Sequence, residues 1–135
     1  MKRYDLIIIG AGPSGYAASM RALDFRKKVL MVERGIVGGA GVTNGALSSK
    51  TWWELSREAL AFRKNLKRFN MEAPPANYKE IRAEVQQAVG ERKSMLELHM
   101  EQLKNSNYAG LLEFKNGDAK LVSQTEVEIA NGVAR

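Results

Sequence analysis

The stretch YDLIIIGAGPSGYAAS, residues 4–19, joins an unbroken apolar run to three glycines at the first, third and sixth positions of GAGPSG. Residues 4–10 are rich in β-branched side chains and end at glycine, as a buried strand of a parallel sheet does. Residues 14–26 have apolar side chains at helical spacing, and residues 29–33 form a second short apolar run. This order predicts a βαβ unit over residues 4–33, with parallel strands and a right-handed crossover.

The three glycines of this turn have separate physical roles. Gly10 permits a tight turn, Gly12 lets a pyrophosphate approach the backbone without meeting a side chain, and Gly15 lets the helix pack closely on the strand. Free N–H groups where the helix begins, near Ser14, favour a phosphate bridge. Glycine-rich turns also occur where only close packing is needed, so the turn alone leaves both interpretations open.

An acidic side chain, Glu33, stands at the end of the second predicted strand. A carboxylate there can accept hydrogen bonds from both ribose hydroxyls of an adenosine, and it repels a 2′-phosphate. The alternative is a solvated acid at a strand end. Because strand, turn, helix, strand and acid follow in the required order, the sequence predicts a dinucleotide-binding site.

The rest of the chain contains a glycine-rich loop, two helices and three short strands. A loop with five glycines over residues 35–48 ends at Ser48 and Ser49, which are plausible helix caps. A helical part over residues 48–105 and a β part over residues 110–130 follow, with helices 50–70 and 78–104 and strands 111–114, 120–122 and 126–129. We therefore predict an α/β fold, a Rossmann-type parallel sheet with flanking helices and a C-terminal β-hairpin or meander, in a single partial domain over residues 1–135.

Composition excludes several classes of protein. A chain of 135 residues that is 44% hydrophobic fits one compact domain, and its apolar runs are too short for a membrane span or a secretion signal, so we expect a cytoplasmic protein. The absence of cysteine excludes disulfides and thiolate chemistry, and no cluster has metal-ligand spacing, so no metal is expected. The net charge of +6 comes without a nucleic-acid-binding motif, so we expect no nucleic acid, and we interpret RKNLKR, residues 63–68, as the solvated face of a helix.

Residues 4–50, YDLIIIGAGPSGYAASMRALDFRKKVLMVERGIVGGAGVTNGALSSK, closely resemble the amino-terminal FAD-binding segment of the pyridine nucleotide-disulfide oxidoreductases, in particular its dihydrolipoamide dehydrogenase-like members. The resemblance continues more loosely through both helices and into GDAKLVSQTEVEI. It implies FAD at the first glycine turn and NAD(P)H as co-substrate, bound by a later domain that this chain lacks. The implied activity of the full-length protein is that of an FAD-dependent NAD(P)H oxidoreductase.

The resemblance also assigns cofactor-binding residues by position. Residues of the first turn would surround the FAD pyrophosphate: Gly10, Ala11, Gly12, Pro13, Ser14 and Gly15. Glu33 and Arg34 would lie at the adenosine ribose. A second glycine loop would follow the diphosphate and ribityl chain: Gly38, Gly39, Ala40 and Gly41. Lys50 would approach the flavin ring, and the backbone of Asp118 and Ala119 would meet the adenine.

Both redox-active cysteines of the family motif are missing. Gly41 and Ala46 occupy their positions, and Ser48 replaces the proline of the motif. Without a thiolate the chain cannot pass electrons from flavin to a neighbouring disulfide, so no catalytic residue is assigned and the acceptor would be a quinone, oxygen or another nicotinamide. Ala40 also lacks a hydroxyl that could bond a phosphate oxygen, which would weaken FAD binding.

These departures leave alternative functions open. The chain could be a non-catalytic dinucleotide-binding or sensor module, a piece with an empty pocket, or one subunit of a split flavoprotein. Relatives are several times longer, and this sequence ends at ANGVAR before the strand expected to complete the sheet. We therefore expect a piece that is inactive alone and that self-associates or binds a partner chain along its unpaired sheet edge.

Three further side chains have structural alternatives. Lys50 could be an ordinary solvated lysine, although fixed positive charge stabilises a reduced flavin. At least one of Trp52 and Trp53 should pack on a helix face because each buries a large area. His99 is expected at the surface, since no cysteine exists for it to activate.

Overall fold

A computed structural model describes residues 2–130 of the chain. In chain order these residues form β1 (Leu6–Ile9), α1 (Pro13–Asp24), β2 (Val29–Glu33), α2 (Gly39–Thr43), α3 (Ala46–Arg68), α4 (Tyr78–Lys104), β3 (Leu112–Asn116), β4 (Asp118–Leu121) and β5 (Val127–Ala130). The predicted strand–helix–strand order is present, and α4 has the predicted bounds. The α/β, Rossmann-like fold class is confirmed.

The central sheet has the strand order β1-β2-β3, and both strand pairs are parallel. The middle strand, β2, is covered on both faces, because Val29, Leu30, Met31 and Val32 are all at most 3% exposed. This burial explains why its sequence, VLMVE, is a continuous apolar run rather than an alternating one.

The C-terminal strands divide between two sheets. β4 and β5 form the predicted antiparallel hairpin, whereas β3 pairs in parallel with β2 and joins the central sheet, a pairing that the sequence did not predict. The reason is that α4 returns the chain along the sheet before β3 begins, so that β3 enters in the direction of β2. Gly117, at a φ of +154°, makes the sharp turn into β4, and its N–H donates to the Glu33 carbonyl at 3.0 Å.

Both crossover helices pack on the same face of the sheet. The strand register places Ile8, Met31 and Phe114 side by side, and alternation puts Val29 and Leu112 on that face as well. The core there is closed by side chains of α1 and α4: Leu23, Leu96, Met100 and Leu103. The strands therefore all end at one edge of the sheet, where α1 begins.

The glycine-rich segment is also more ordered than predicted. Residues 35–48 contain α2, and α3 already begins at Ala46, with Gly45 as its N-cap. A Cβ at Gly45 would lie 2.4 Å from the Ala40 carbonyl oxygen, so the tight turn between the two helices requires glycine at the cap. Ser48 and Ser49, the predicted caps, lie inside α3, where their hydroxyls donate to the Gly45 carbonyl.

No residue of α3 is buried. Trp52 stacks on Tyr78, with ring centroids 5.5 Å apart, whereas Trp53 is 67% exposed. Phe62, within α3, and Phe69, its C-cap, are 52% and 75% exposed. The amphipathic pattern thus forms the expected helix, but much of its apolar surface faces solvent.

One edge of the sheet has no partner in the described part of the chain. Among residues 2–130, β1 is hydrogen-bonded only on its β2 side. Leu6 and Ile9 of β1 are 37% and 49% exposed. None of the helices within these residues is both long enough and apolar enough to cross a membrane.

A polar cluster joins the segment before β1 to β3. The Tyr4 hydroxyl donates to a Glu113 oxygen at 2.7 Å, and Lys2 Nζ lies 3.0 Å from the same oxygen. Desolvation, and then this hydrogen bond, raise the pKa of Tyr4 to about 12. The bonds from Tyr4 and Lys2 lower the pKa of Glu113 below its ordinary value.

Replacing Tyr4 with Phe should lower the free energy of unfolding by about 1 kcal/mol at neutral pH, since one hydrogen bond is lost. Unfolded tyrosine ionises near 10.0, so the contribution of Tyr4 is complete below that pH and is lost as the pH rises through about 12. The contribution of ionised Glu113 to stability is complete above pH 4.5, the ordinary pKa of a glutamate, and is lost as the pH falls through the lowered pKa of this group. Urea unfolding should therefore show the gap between parent and Tyr4→Phe shrinking at both extremes of pH. Tyr78→Phe is the control, and a gap independent of pH would contradict this account.

Candidate functional site

The first glycine turn leaves open space beside the start of α1. Gly10 has a φ of +102°, and its N–H donates to the Val32 carbonyl at 2.7 Å. A Cβ added at Gly10 or Gly12 would meet no atom within 4 Å. Gly12 is the N-cap of α1, Pro13 has no N–H, and no side chain caps this helix, so the N–H groups of Ser14 and Gly15 are available to an anion. Ser14, predicted at this turn, is exposed in the first turn of α1.

Gly15 brings α1 against β1. A Cβ there would lie 2.0 Å from the Gly10 carbonyl oxygen and 3.0 Å from Ile8 Cγ2. No other residue type allows this approach of helix and strand, and the approach fixes the start of α1 over the turn.

The Glu33 carboxylate points at the glycine turn. One oxygen accepts the N–H of Ala11 at 2.7 Å, and the other accepts the N–H of Gly35 at 2.7 Å. Ala11 is fully buried, so the carboxylate is held from both sides at the carboxyl end of β2. This geometry argues against a merely solvated acid. The participation of Gly35 was not predicted, because nothing in its local sequence distinguishes it from an ordinary turn glycine.

The second glycine loop packs on the first. The Gly38 N–H donates to the Ala11 carbonyl at 2.8 Å. A Cβ at Gly39 would lie 3.3 Å from Gly12 Cα, and a Cβ at Gly41 would lie 2.7 Å from Pro13 Cγ. Side chains at residues 39 and 41 would therefore press on the first turn, so glycine at both positions lets the two glycine loops pack closely on each other. Ala40 lies exposed on this loop.

The remaining predicted site residues lie farther out. Arg34 Nη1 is 3.9 Å from Asp118 Oδ1, and both side chains are mostly exposed, so this pair contributes little stability. It does place the β4 residues Asp118 and Ala119 beside the end of β2. Lys50 is exposed on α3, and within residues 2–130 no hydrogen bond or ion pair ties it to the glycine turn.

The two positions at which the resemblance implies cysteines carry no redox-active side chain. Gly41 lies in α2 and Ala46 is the first residue of α3. In the described part of the chain, no group of His, Asp or Glu side chains could hold a metal ion.

His99 does contact another element. The Tyr16 hydroxyl hydrogen-bonds His99 Nδ1, which connects α1 to α4. Burial raises the pKa of Tyr16, and the charge of Arg92 partly opposes this rise. His99 itself is exposed, and we assign this pair to packing of the helices.

Comparison with known proteins finds similar sequences and a similar fold. The family model for pyridine nucleotide-disulphide oxidoreductases matches residues 4–132. The dihydrolipoyl dehydrogenase of Acholeplasma laidlawii is 41% identical over 51 residues, which are 38% of this chain and 15% of that protein. The mercuric reductase of Lysinibacillus sphaericus is 46% identical over 48 residues, 36% of this chain and 9% of that protein. The dihydrolipoyl dehydrogenase of Thermus scotoductus is 39% identical over 75 residues, 56% of this chain and 16% of that protein.

A solved structure has the same fold. The HOCl-induced flavoprotein disulfide reductase from Escherichia coli, in its Cu(II) complex, superposes with a TM-score of 0.70 at 14% sequence identity. The superposition covers 97% of this chain and 25% of that protein. The chain therefore spans a small part of the relatives that it matches, and its fold is a partial one.

Proposed function

Because this chain belongs to the pyridine nucleotide-disulphide oxidoreductase family, we propose that it is the FAD-binding part of a flavin-dependent NAD(P)H oxidoreductase, a single partial domain of a cytoplasmic protein. The nicotinamide would bind in a part of the protein outside residues 1–135. The full-length protein, rather than this piece alone, would turn over. The chain's own role is to hold and orient the cofactor.

The observation that supports this proposal is the open space at Gly12, beside the Glu33 carboxylate that two backbone N–H groups hold in place. The free N–H groups at the start of α1 would hold the pyrophosphate. Glu33 would accept the ribose hydroxyls, with Arg34 beside it. Gly38, Gly39 and Ala40 would follow the diphosphate.

When bound, FAD supplies two-electron chemistry, accepting a hydride from NAD(P)H and passing both electrons to an acceptor. Residues 41 and 46 carry no sulfur, so this chain offers no disulfide for the second step. We therefore propose an acceptor that takes electrons directly, such as a quinone, oxygen or a second nicotinamide. Lys50 is proposed to supply positive charge near the flavin, and the backbone of Asp118 and Ala119 to contact the adenine.

We also propose a strand partner for β1. Its exposed edge carries Leu6 and Ile9, and an adjoining groove is lined by Ala18, Ala22 and Phe25. A strand from a partner chain or from the rest of a longer protein would satisfy this edge, whereas the isolated chain would self-associate through it. Sedimentation of the isolated chain would test this, and a strict monomer at high concentration would contradict it.

Replacing Glu33 with Gln should weaken FAD binding about 10- to 100-fold, because a charge-assisted hydrogen bond to the ribose is worth about 1.5–3 kcal/mol. The amide would also direct its own N–H groups at the backbone donors of Ala11 or Gly35. Flavin fluorescence quenching on titration with the protein measures the affinity. Glu72→Gln removes an exposed acid elsewhere and should change nothing. Equal affinities of the parent and Glu33→Gln for FAD would show that Glu33 does not contact the cofactor.

A second function, a non-catalytic nucleotide-binding module, is supported by the missing cysteines. Adding NADH to the full-length protein discriminates between the two functions. Bleaching of the flavin absorption supports the oxidoreductase, whereas a yellow protein that NADH does not bleach supports the module. A folded full-length protein that takes up no FAD would contradict the oxidoreductase, and one that takes up no nucleotide would contradict both.

A further inference from the structure

The outer side of α3 carries an exposed stripe that the nucleotide site does not use. Its members recur every three or four residues and are all exposed: Trp53, Arg57, Leu60, Lys64 and Lys67. We call this set the outer stripe. It extends for about 21 Å at 1.5 Å per residue. Its two apolar members are far from buried, since Trp53 is 67% and Leu60 is 53% exposed.

The stripe lies in a strongly cationic region. Arg63 and Arg68 flank it, so residues 57–68 carry five cations and a single acid, Glu58. At 100° per residue, the two acids of α3, Glu54 and Glu58, fall to one side of the stripe. Only Arg57 has an acidic neighbour within the helix, Glu54 at 3.6 Å.

The alternation of apolar side chains and cations in the outer stripe indicates which class of partner fits it best. At an anionic bilayer, a tryptophan and a leucine can enter the headgroup layer while lysine and arginine heads reach the phosphates. A nucleic acid would use the cations but would leave Leu60 unburied. A symmetric dimer through the same stripe would set cations against cations. The combination of charge and exposure favours the lipid surface.

We propose that the outer stripe of α3 docks this protein on an anionic membrane surface, with Trp53 and Leu60 inserted among the headgroups. The docking is peripheral and reversible. It uses no residue of the nucleotide site, and so it stands or fails independently of FAD binding.

Co-sedimentation of the full chain with lipid vesicles tests this proposal. We expect the protein to bind vesicles of phosphatidylcholine mixed with phosphatidylglycerol, to bind pure phosphatidylcholine vesicles much more weakly, and to be released by salt. In a Trp52→Phe background Trp53 is the sole tryptophan, and its emission should shift to the blue on binding.

Substitutions of the lysines and of Leu60 measure separately how much the cations and the apolar side chains of the outer stripe contribute to vesicle binding. The double variant Lys64→Gln with Lys67→Gln should bind anionic vesicles about 30-fold more weakly, at about fivefold per cation. The matched control neutralises two exposed lysines elsewhere, Lys27→Gln with Lys120→Gln, and should retain binding within a few-fold. Leu60→Gln should lose about tenfold while keeping every charge. Circular dichroism checks that α3 is intact in each variant.

Several outcomes would overturn the proposal. One is the absence of binding to anionic vesicles at low salt by a folded chain. Another is an equal loss of binding in the control pair, which would show that binding depends on the net charge of the protein rather than on the outer stripe. A third is duplex DNA retaining the protein in a competition with vesicles. The last is a dimer in sedimentation that Leu60→Gln dissociates, which would make the stripe an interface between copies.

Discussion

Replacing Gly12 with Val should abolish detectable FAD binding in a chain that still folds. A Cβ at this position meets nothing within 4 Å, so the first atom of the new side chain does not clash with the protein. Gly12 also has a φ of −71°, which valine adopts without strain. The branched side chain would instead fill the space at the start of α1 in which the pyrophosphate is proposed to lie. Losing two hydrogen bonds to a charged phosphate, at about 1.5–3 kcal/mol each, weakens binding by about 100-fold or more.

This variant is informative only if folding is measured alongside binding. The melting temperature of Gly12→Val should stay close to that of the parent, since a poorer N-cap costs at most about 1 kcal/mol. Flavin titration then reports the site alone. A folded Gly12→Val chain that binds FAD as tightly as the parent would show that the pyrophosphate does not cross Gly12.

Replacing Gly15 with Ala should, unlike Gly12→Val, cause a large loss of stability. The added Cβ would lie 2.0 Å from the Gly10 carbonyl oxygen, a backbone atom that cannot rotate away. The start of α1 must then move off β1, which opens the core around Ile8. We expect a loss of about 3 kcal/mol or more and a melting temperature about 10 °C lower.

The matched control is the same substitution at Gly90. That residue lies in α4, is exposed, and would place its Cβ in open space. Alanine there should raise the free energy of unfolding by about 0.5–1 kcal/mol and leave FAD binding unchanged. If Gly15→Ala melts at the temperature of the parent, the close packing of α1 on β1 is wrong.

The nucleotide turn and its acid could be predicted from the sequence because their signals are local. The alternation of strand, glycine turn and helix lies within residues 4–33, and the steric limits on Gly10 and Gly15 are properties of the backbone itself. The same holds for α4, whose apolar period predicts its extent and whose first turn is capped in the structure by the Asn77 side chain. The family follows from these stretches together with the second glycine loop.

The fold's remaining features depend on contacts between distant residues. Neither the hydrogen bond of Ala11 to Glu33 nor that of Gly38 to Ala11 has a signal in either stretch alone. The start of α3 was misplaced because serine is the better cap by propensity, whereas the approach of Gly45 to Ala40 decides the turn.

The sequence by itself determined the βαβ unit, the glycine turn and the absence of cysteine from residues 1–135. Each of these follows from short-range periodicity, backbone sterics or composition. The tertiary structure alone decided that β3 joins the parallel sheet, that the Glu33 carboxylate is held by two backbone N–H groups, and that Trp53 and Leu60 remain exposed. Strand pairing and burial are set by where α4 returns the chain, and a helical period carries no information about which neighbours cover its faces.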